Sequence, residues 1–431
     1  MRRLSDRATS FGVGIAAFVV YAASANFSSA RSIDTAATTV AAWRLAVFHT
    51  LKLQGADPTN AWIQQGVDGY YSNRSPGIIA WGTPFQALLA GPEGPSNAGG
   101  ALSGAVASAL AIALLYVLAR KFLTRPASFT ACAIAALGTS TWTVSADDAW
   151  THGPAQALLL AAMLLVAAER WWSTAAAWSL AILVRPHLAV VAVITAGWCA
   201  LRTRRALPVV ATGIGLATST LALLAYQNEI WGVLSIVAPG YDSRLENGQG
   251  LPNPLAYAGE WLGAFLSPER GLLVLSPMLI LLLPGLRRAW SIAPDWARAS
   301  GVGGMFYTGI QLALNPFDGG SAFYSYRISL ELLATTSPLL LLSWREWTSQ
   351  TTTRSRWFIA LSAVSIGIQA IGAFGRTTYG WAAGAWSTPS ALIYPALEGA
   401  WRLGVAAAAA LMFLAAVLLY TRIRTATPRG D

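Results

Sequence analysis

Apolar runs of 15 to 22 residues recur from Phe11 to Tyr420 in this chain of 431 residues, and most of the loops between them are short and rich in arginine. The longer of these runs are long enough to cross a hydrocarbon core of about 30 Å as helices, and in lipid each segment has to satisfy its own backbone polar groups. With 55% hydrophobic and only 11% charged residues, an all-α polytopic membrane protein is expected, with the bilayer as its solvent. Cys132 and Cys199 both lie inside apolar runs, which points to neither a disulfide framework nor a metal cluster.

The expected spans are 11–26, 98–119, 126–146, 153–169, 173–184, 187–201, 206–226, 271–287, 300–314, 328–343, 357–374 and 401–420, a bundle of about twelve transmembrane helices. The apolar piece 77–91 follows Pro76, contains Pro84 and has no basic flank, so it reads as a juxtamembrane or re-entrant helix on the outer side. With the N-terminus inside, 19 of the 29 Lys and Arg residues fall on the cytoplasmic side, and that bias sets an orientation with both termini cytoplasmic. The net charge of +10 is then a topology signal rather than a nucleic-acid footprint. Most of the 19 Trp, among them Trp142, Trp150, Trp231, Trp344, Trp357 and Trp401, fall near span ends, where interfacial anchoring is their default role.

The stretch 173–201 decides the topology. It is broken at Arg185-Pro186-His187, and counting it as one span turns the downstream cytoplasmic arginines outward, so two pieces are expected. Twelve helical residues rise only about 18 Å, which leaves Arg185 below the outer surface, either in a water-filled cavity or snorkelling to a headgroup. Ala23 to Asn26, "ASAN", resembles a signal-peptidase site behind a basic start, but the first span is expected to be kept.

Polar residues concentrate in three long outer loops, 27–97, 227–270 and 375–400, and no appended soluble domain is expected. "GVGG" at 301–304 lies inside an apolar run and reads as close helix packing rather than a nucleotide site. Any chemistry is therefore external, where nucleotide-activated donors are absent and a lipid-linked donor is the natural supply.

An Asp just after the first span (Asp34), an amphipathic stretch at 41–55 and "YYSNRSPG" at 70–77 together resemble the first outer loop of the GT-C glycosyltransferases, polytopic enzymes that use polyprenyl-phosphate sugars. "DDAWTHGPAQ" (147–156) resembles their loop between the third and fourth spans, and "SPERGLLVLSP" (267–277) resembles a segment of bacterial members. "FDGGSAFYSYRISLELLATTSP" (317–338) is similar to their Gly-Gly, aromatic, Arg, small-apolar, Pro pattern. Members built around Pro-Pro-Leu have two prolines where this chain has Ser75-Pro76-Gly77, so the lysine and second-acid roles of that motif do not carry over. The resemblance implies a GT-C-like bundle with juxtamembrane helices in the first outer loop and a single domain over 1–431.

It also gives Asp34 a role. Transfer from a phosphate carrier to a hydroxyl needs a base beside the acceptor alcohol, and a carboxylate at the water-lipid boundary supplies one, with inversion at the anomeric carbon. Asp34 is also placed to cap a helix beginning at Thr35. The departing phosphate gains charge, which calls for fixed cations in a low-dielectric site, a task suited to the arginine fork. The outer-face candidates are Arg327, Arg270, Arg74 and Arg185, with His152 as a further donor, whereas Arg31, Arg44 and Arg376 read as solvated or headgroup-facing charges.

Asp147 and Asp148 are placed to orient an acceptor hydroxyl or an arginine, to cap a helix, or to hold a divalent cation. Orientation without metal is the expectation, and no cofactor is implied. Tyr70, Tyr71, Trp150, Tyr324 and Tyr326 are candidates to stack on a sugar or acceptor, and 239–254 reads as a mobile acceptor-side loop.

The expected activity is transfer of one sugar, a pentose or hexose such as arabinofuranose or mannose, from a polyprenyl monophosphate to a glycan, glycolipid or protein at the extracytoplasmic face of the plasma (inner) membrane, in cell-envelope or cell-wall biogenesis. The alternative is a polysaccharide polymerase or a lipid-linked glycan transporter. The absence of an internal repeat weighs against the transporter, and a largest outer loop that comes first weighs against the polymerase.

Overall fold

The computed structural model describes residues 2–30, 32–53, 62–239, 248, 250–320, 323–374, 386 and 401–426. Loops 239–254 and 375–400 therefore lie largely outside the described residues, as do Arg31 and Arg376. Helices α1 (Arg2–Ser24) and α2 (Ile33–Phe48) are followed by a small hairpin of β1 (Ile63–Gln65) and β2 (Tyr70–Ser72), then by α3 (Pro76–Leu89), α4 (Asn97–Ala119) and α5 (Arg125–Leu137). Next come α6 (His152–Val166), α7 (Trp171–Val184), α8 (Ala189–Thr203), α9 (Leu207–Trp231) and α10 (Pro254–Leu266). The last third holds α11 (Leu272–Leu275), α12 (Leu286–Ile292), α13 (Asp295–Leu314), α14 (Leu330–Glu346), α15 (Thr352–Ala373) and α16 (Trp401–Ala426).

The centre of the bundle is α4, whose run of Ala, Gly and Ser lets α1 and α6 approach closely. Around it Tyr21, Tyr116, Cys132 and Met163 form the main core, and the Tyr21 hydroxyl donates to the Ala136 carbonyl at 3.1 Å. On the flank, α6 packs on α7, α7 on α9, α8 on α13, and α13 on α14. Large apolar side chains such as Leu201, Leu221 and Leu255 point outward from these helices, as expected of a bundle dissolved in lipid.

The break at Arg185 is a reversal. Cys199, near the end of α8, packs with Trp171 and Ala175 at the start of α7, so α7 and α8 form an antiparallel hairpin with Arg185 at its tip. Between α1 and α4, α2 and α3 pack on each other, and α3 also rests on α7. Gly77 permits that second contact, because a Cβ there would lie 2.6 Å from the backbone nitrogen of Val184.

Among the described residues five helices are long and apolar enough to cross a membrane by length and composition, and shorter apolar helices such as His152–Val166 and Trp171–Val184 accompany them. Several expectations are corrected. The expected span 271–287 is split into α11, a 3-10 segment at Pro277–Gly285 and α12, because Pro277 and Pro284 remove backbone donors. The all-α expectation misses the β1–β2 hairpin, which pairs Ile63 with Ser72 and Gln65 with Tyr70. Trp142 and Trp150 are buried in the bundle rather than interfacial, whereas Trp357 and Trp401 are exposed. Arg44 is also buried: its Nε donates to the Lys52 carbonyl at 3.0 Å and its guanidinium lies 4.3 Å over Phe48.

Candidate active site

Asp34 lies in the first turn of α2 but is not its cap. Ser32 is the cap: its hydroxyl accepts from the Asp34 backbone N–H at 2.9 Å, and the Thr35 hydroxyl accepts from the Ser32 N–H at 3.1 Å. This reciprocal arrangement satisfies the helix start and releases the Asp34 carboxylate from that task. The carboxylate faces two arginines instead. Arg327 Nη1 donates to Oδ2 at 2.7 Å, and Arg74 Nη1 stands 3.5 Å from Oδ1, an oxygen that accepts no hydrogen bond. Burial alone would raise the carboxyl's pKa, but the charges of Arg74 and Arg327 outweigh it and hold Asp34 below the usual carboxylate range.

Each arginine is itself held. Arg74 follows the hairpin, stacks 4.1 Å over Trp62 and donates from Nε and Nη2 to Asn73 Oδ1 at 3.1 and 2.9 Å. Arg327 lies between the rings of Trp150 and Phe323, at 5.4 and 5.1 Å. Its loop turns through Gly319, whose φ of +67° suits glycine and whose missing Cβ leaves room for Arg327 Nε. Ser325 also has a left-handed φ of 74°, a strain that surrounding bonds over-determine. Gln369 Nε2 donates to its hydroxyl at 3.1 Å, and Arg270 Nη1 donates to the carbonyls of Phe323 and Ser325 at 2.6 and 3.0 Å.

The third arginine comes from the α7–α8 tip. Arg185 Nη1 donates to Glu331 Oε1 at 3.1 Å, and Nη2 donates to Gln311 Oε1 at 3.4 Å. His152, the first residue of α6, places Nδ1 2.8 Å from the same Glu331 oxygen. Glu331 is fully buried in the first turn of α14, where the helix N-terminus favours a negative charge.

These groups surround a cavity of about 90 Å³ lined by Asp34, Thr38, Trp62, Arg74, Trp150, Thr151, His152, Arg185, Gln311, Asn315, Gly319 and Arg327. Of the site residues expected from sequence, Asp34, Arg74, Trp150, His152, Arg185 and Arg327 are thus brought together. The others stand apart. Arg270 is buried against the Phe323 ring at 4.1 Å and holds the Arg327 loop rather than lining the cavity. Tyr324 and Tyr326 turn into the bundle: one hydroxyl donates to the Ile368 carbonyl at 2.9 Å, and the other lies 2.7 Å from the Ser276 hydroxyl. Tyr71 donates to Asp68 at 2.6 Å, and neither it nor Tyr70 lines the cavity. Asp147 and Asp148 are buried outside the lining, and Asp148 Oδ1 accepts from the Ala149 N–H at 2.7 Å. No three His, Cys, Asp or Glu side chains gather closely enough among the described residues to hold a metal ion.

Sequence reading passed over Glu331, Gln311 and Trp62. A signal existed for the first two, since each is a polar residue inside an otherwise apolar run, where such residues mark functional sites. Trp62 carries no such signal.

The structure of ArnT from Cupriavidus metallidurans bound to undecaprenyl phosphate aligns with 96% of this chain and 72% of that one, with a TM-score of 0.56 and 15% sequence identity. This chain shares the fold of that structure. Two structures of the Archaeoglobus fulgidus oligosaccharyltransferase, one with zinc and sulfate and one apo, align at TM-scores of 0.49 and 0.48 with 14% and 12% identity. They cover 85% and 91% of this chain, which spans 53% and 60% of theirs. No protein-family model matches the sequence, and no curated protein matches it in sequence. In this fold the cavity lies where the segment between α1 and α4 meets the α7–α8 tip and the turn from α13 into α14.

Proposed function

We propose that residues 1–431 form a single transmembrane glycosyltransferase domain of about twelve spans. It moves one sugar from a polyprenyl monophosphate to an acceptor hydroxyl on the extracytoplasmic face. The observation that carries this reading is one carboxylate, Asp34, held between Arg74 and Arg327 in a cavity that a third arginine, Arg185, also lines. ArnT, the structure that shares the fold, holds undecaprenyl phosphate, a lipid of the class proposed here as donor carrier.

In the proposed reaction the acceptor hydroxyl gives its proton to Asp34 Oδ1 as its oxygen attacks the anomeric carbon. The bond from that carbon to the carrier oxygen breaks on the opposite face, which inverts the centre. Its electron pair stays on the phosphate, where charge grows from one toward two. Guanidiniums already in place meet that charge without reorganising. Asp34 is a weak base while two arginines hold it. An entering phosphodiester competes for those arginines and so raises the basicity of Asp34 at the moment it is needed.

Purified protein given polyprenyl-phosphate mannose and arabinose, with a membrane extract as acceptor source, should transfer one of them with inversion. Transfer should persist in excess chelator, because the arginines neutralise a monophosphate leaving group. Loss in chelator with recovery on manganese, magnesium or calcium would overturn the metal-free reading and promote Asp147 and Asp148 to ligands.

The site residues all come from one end of the bundle, which the arginine bias puts outside. Thr50→Cys should therefore react with an impermeant maleimide in intact cells, and Arg204→Cys only after permeabilisation, with buried Cys132 and Cys199 silent. Labelling of Arg204→Cys in intact cells would overturn this topology.

A further inference from the structure

The cavity holds more information about the donor than its phosphate. Its charges nearly cancel before any ligand enters: Asp34 and Glu331 face Arg74, Arg185 and Arg327. His152 adds none, because its Nδ1 donates to Glu331 Oε1, and Arg185 Nη1, which only donates, stands 3.3 Å from Nε2, which must then be the unprotonated, accepting nitrogen of a neutral ring. One positive charge is left over, equal to the single negative charge of a phosphodiester. Among the described residues the rest of the polar lining is uncharged and includes Thr38, Thr151, Gln311 and Asn315.

Gln311 is the most informative of these. Its Oε1 accepts from Arg185, which fixes the orientation of the amide, because a guanidinium cannot accept. That places Nε2 as a donor, and Nε2 is buried without a hydrogen-bond partner in a residue only 4% exposed. A buried amide donor left unpaired is costly, and a ligand oxygen removes the cost.

We propose that the donor sugar is uncharged and that Gln311 Nε2 donates to one of its hydroxyls, making Gln311 a specificity-determining residue. This rests on the lipid-phosphate-sugar reading above and deepens it. Among the described residues Asp34 is the one carboxylate of the lining and already faces two arginines, so an amino sugar would bring a further cation with no partner. A uronic acid would bring a second anion where one positive charge remains. Both carry an uncompensated charge into a buried site, a penalty a hydroxylated neutral sugar avoids.

The test uses full-length protein and polyprenyl monophosphates carrying neutral pentoses and hexoses, their single-deoxy forms, an amino sugar and a uronic acid. For wild type, kcat/KM should be at least about tenfold higher for one neutral sugar than for either charged one, and one deoxy position should cost about tenfold, the scale of one good buried hydrogen bond. Gln311→Met keeps the length of the side chain but removes the amide. It should lose about tenfold more on the parent sugar than on the deoxy sugar that lacks the read hydroxyl, because the lost contact to Arg185 is common to both donors. Retained turnover of that deoxy donor also shows that the variant is folded. A preference for a charged sugar, or an equal loss on every donor, overturns the inference while leaving the functional reading intact. Failure of wild type to transfer any lipid-phosphate sugar overturns the functional reading, and this inference with it.

Discussion

Asp34→Asn is expected to lower transfer at least about a hundredfold, the low end of what a positioned general base contributes. Asparagine keeps the shape of the side chain and removes its proton-accepting power. Ser32 and Thr35 hold the start of α2, so the substitution leaves the cap intact, and a loss of turnover cannot be assigned to helix fraying. The ion pair with Arg327 is lost as well, which frees both arginines for phosphate, so donor binding should hold or tighten. Tight binding with lost turnover identifies the base, whereas near-normal turnover removes Asp34 from the mechanism and leaves Asp68, Asp147, Asp148 and Asp57, which lies outside the described residues, to be tested.

A pH profile gives a second readout. In the free enzyme the arginines hold the Asp34 pKa down, so its ionised form persists as pH falls, and the acid limb of kcat/KM should lie below the ordinary carboxylate range. Bound phosphodiester draws the arginines away and adds a negative charge, both of which raise that pKa. The acid limb of kcat should therefore lie at higher pH than that of kcat/KM. Coincident limbs would sink the idea that donor binding activates the base.

The architecture was legible because lipid leaves a chain few options. Arg185-Pro186-His187 broke an apolar run, arginine bias required a reversal there, and the antiparallel α7–α8 hairpin is that reversal. The cations that line the cavity were legible for a related reason, since Arg74, Arg185 and Arg327 each stand beside a Pro, Gly or aromatic motif residue. Which arginine faces the cavity was not legible. Arg270 sits in as suggestive a motif as Arg327, yet it folds back onto the Phe323 and Ser325 carbonyls, and only the three-dimensional path of that strained loop distinguishes the two. Where the tyrosines point was not legible for the same reason, and none of Tyr70, Tyr71, Tyr324 and Tyr326 lines the cavity. A hydroxyl in a motif satisfies a buried backbone carbonyl as readily as a sugar, as Tyr324 does with Ile368. Glu331 carried a signal as one acidic residue in an apolar helix, but its partners were not legible, because Arg185 and His152 close on it from two other elements.

Arg327→Gln should lower kcat by about a hundredfold to a thousandfold, the usual loss when one preorganised donor to a developing anion is removed. Arg327 has two roles to separate, since it pairs with Asp34 at 2.7 Å and lines the cavity where the phosphate is proposed to leave. Combining variants separates them, because a residue that acts only through another costs nothing once that other is gone. If Arg327 serves only to orient Asp34, Arg327→Gln added to Asp34→Asn should produce no further loss in turnover or in donor binding. If it takes the charge of the leaving group, the double variant should bind donor more weakly than Asp34→Asn alone, because a guanidinium released from its carboxylate would otherwise be fully available to phosphate. Arg327→Lys should fall between wild type and Arg327→Gln, since it keeps a point charge but loses the planar fork and the stacking on Trp150 and Phe323. Equal donor affinity in Asp34→Asn and in the double variant would remove Arg327 from the phosphate and leave Arg74 and Arg185 as its cations.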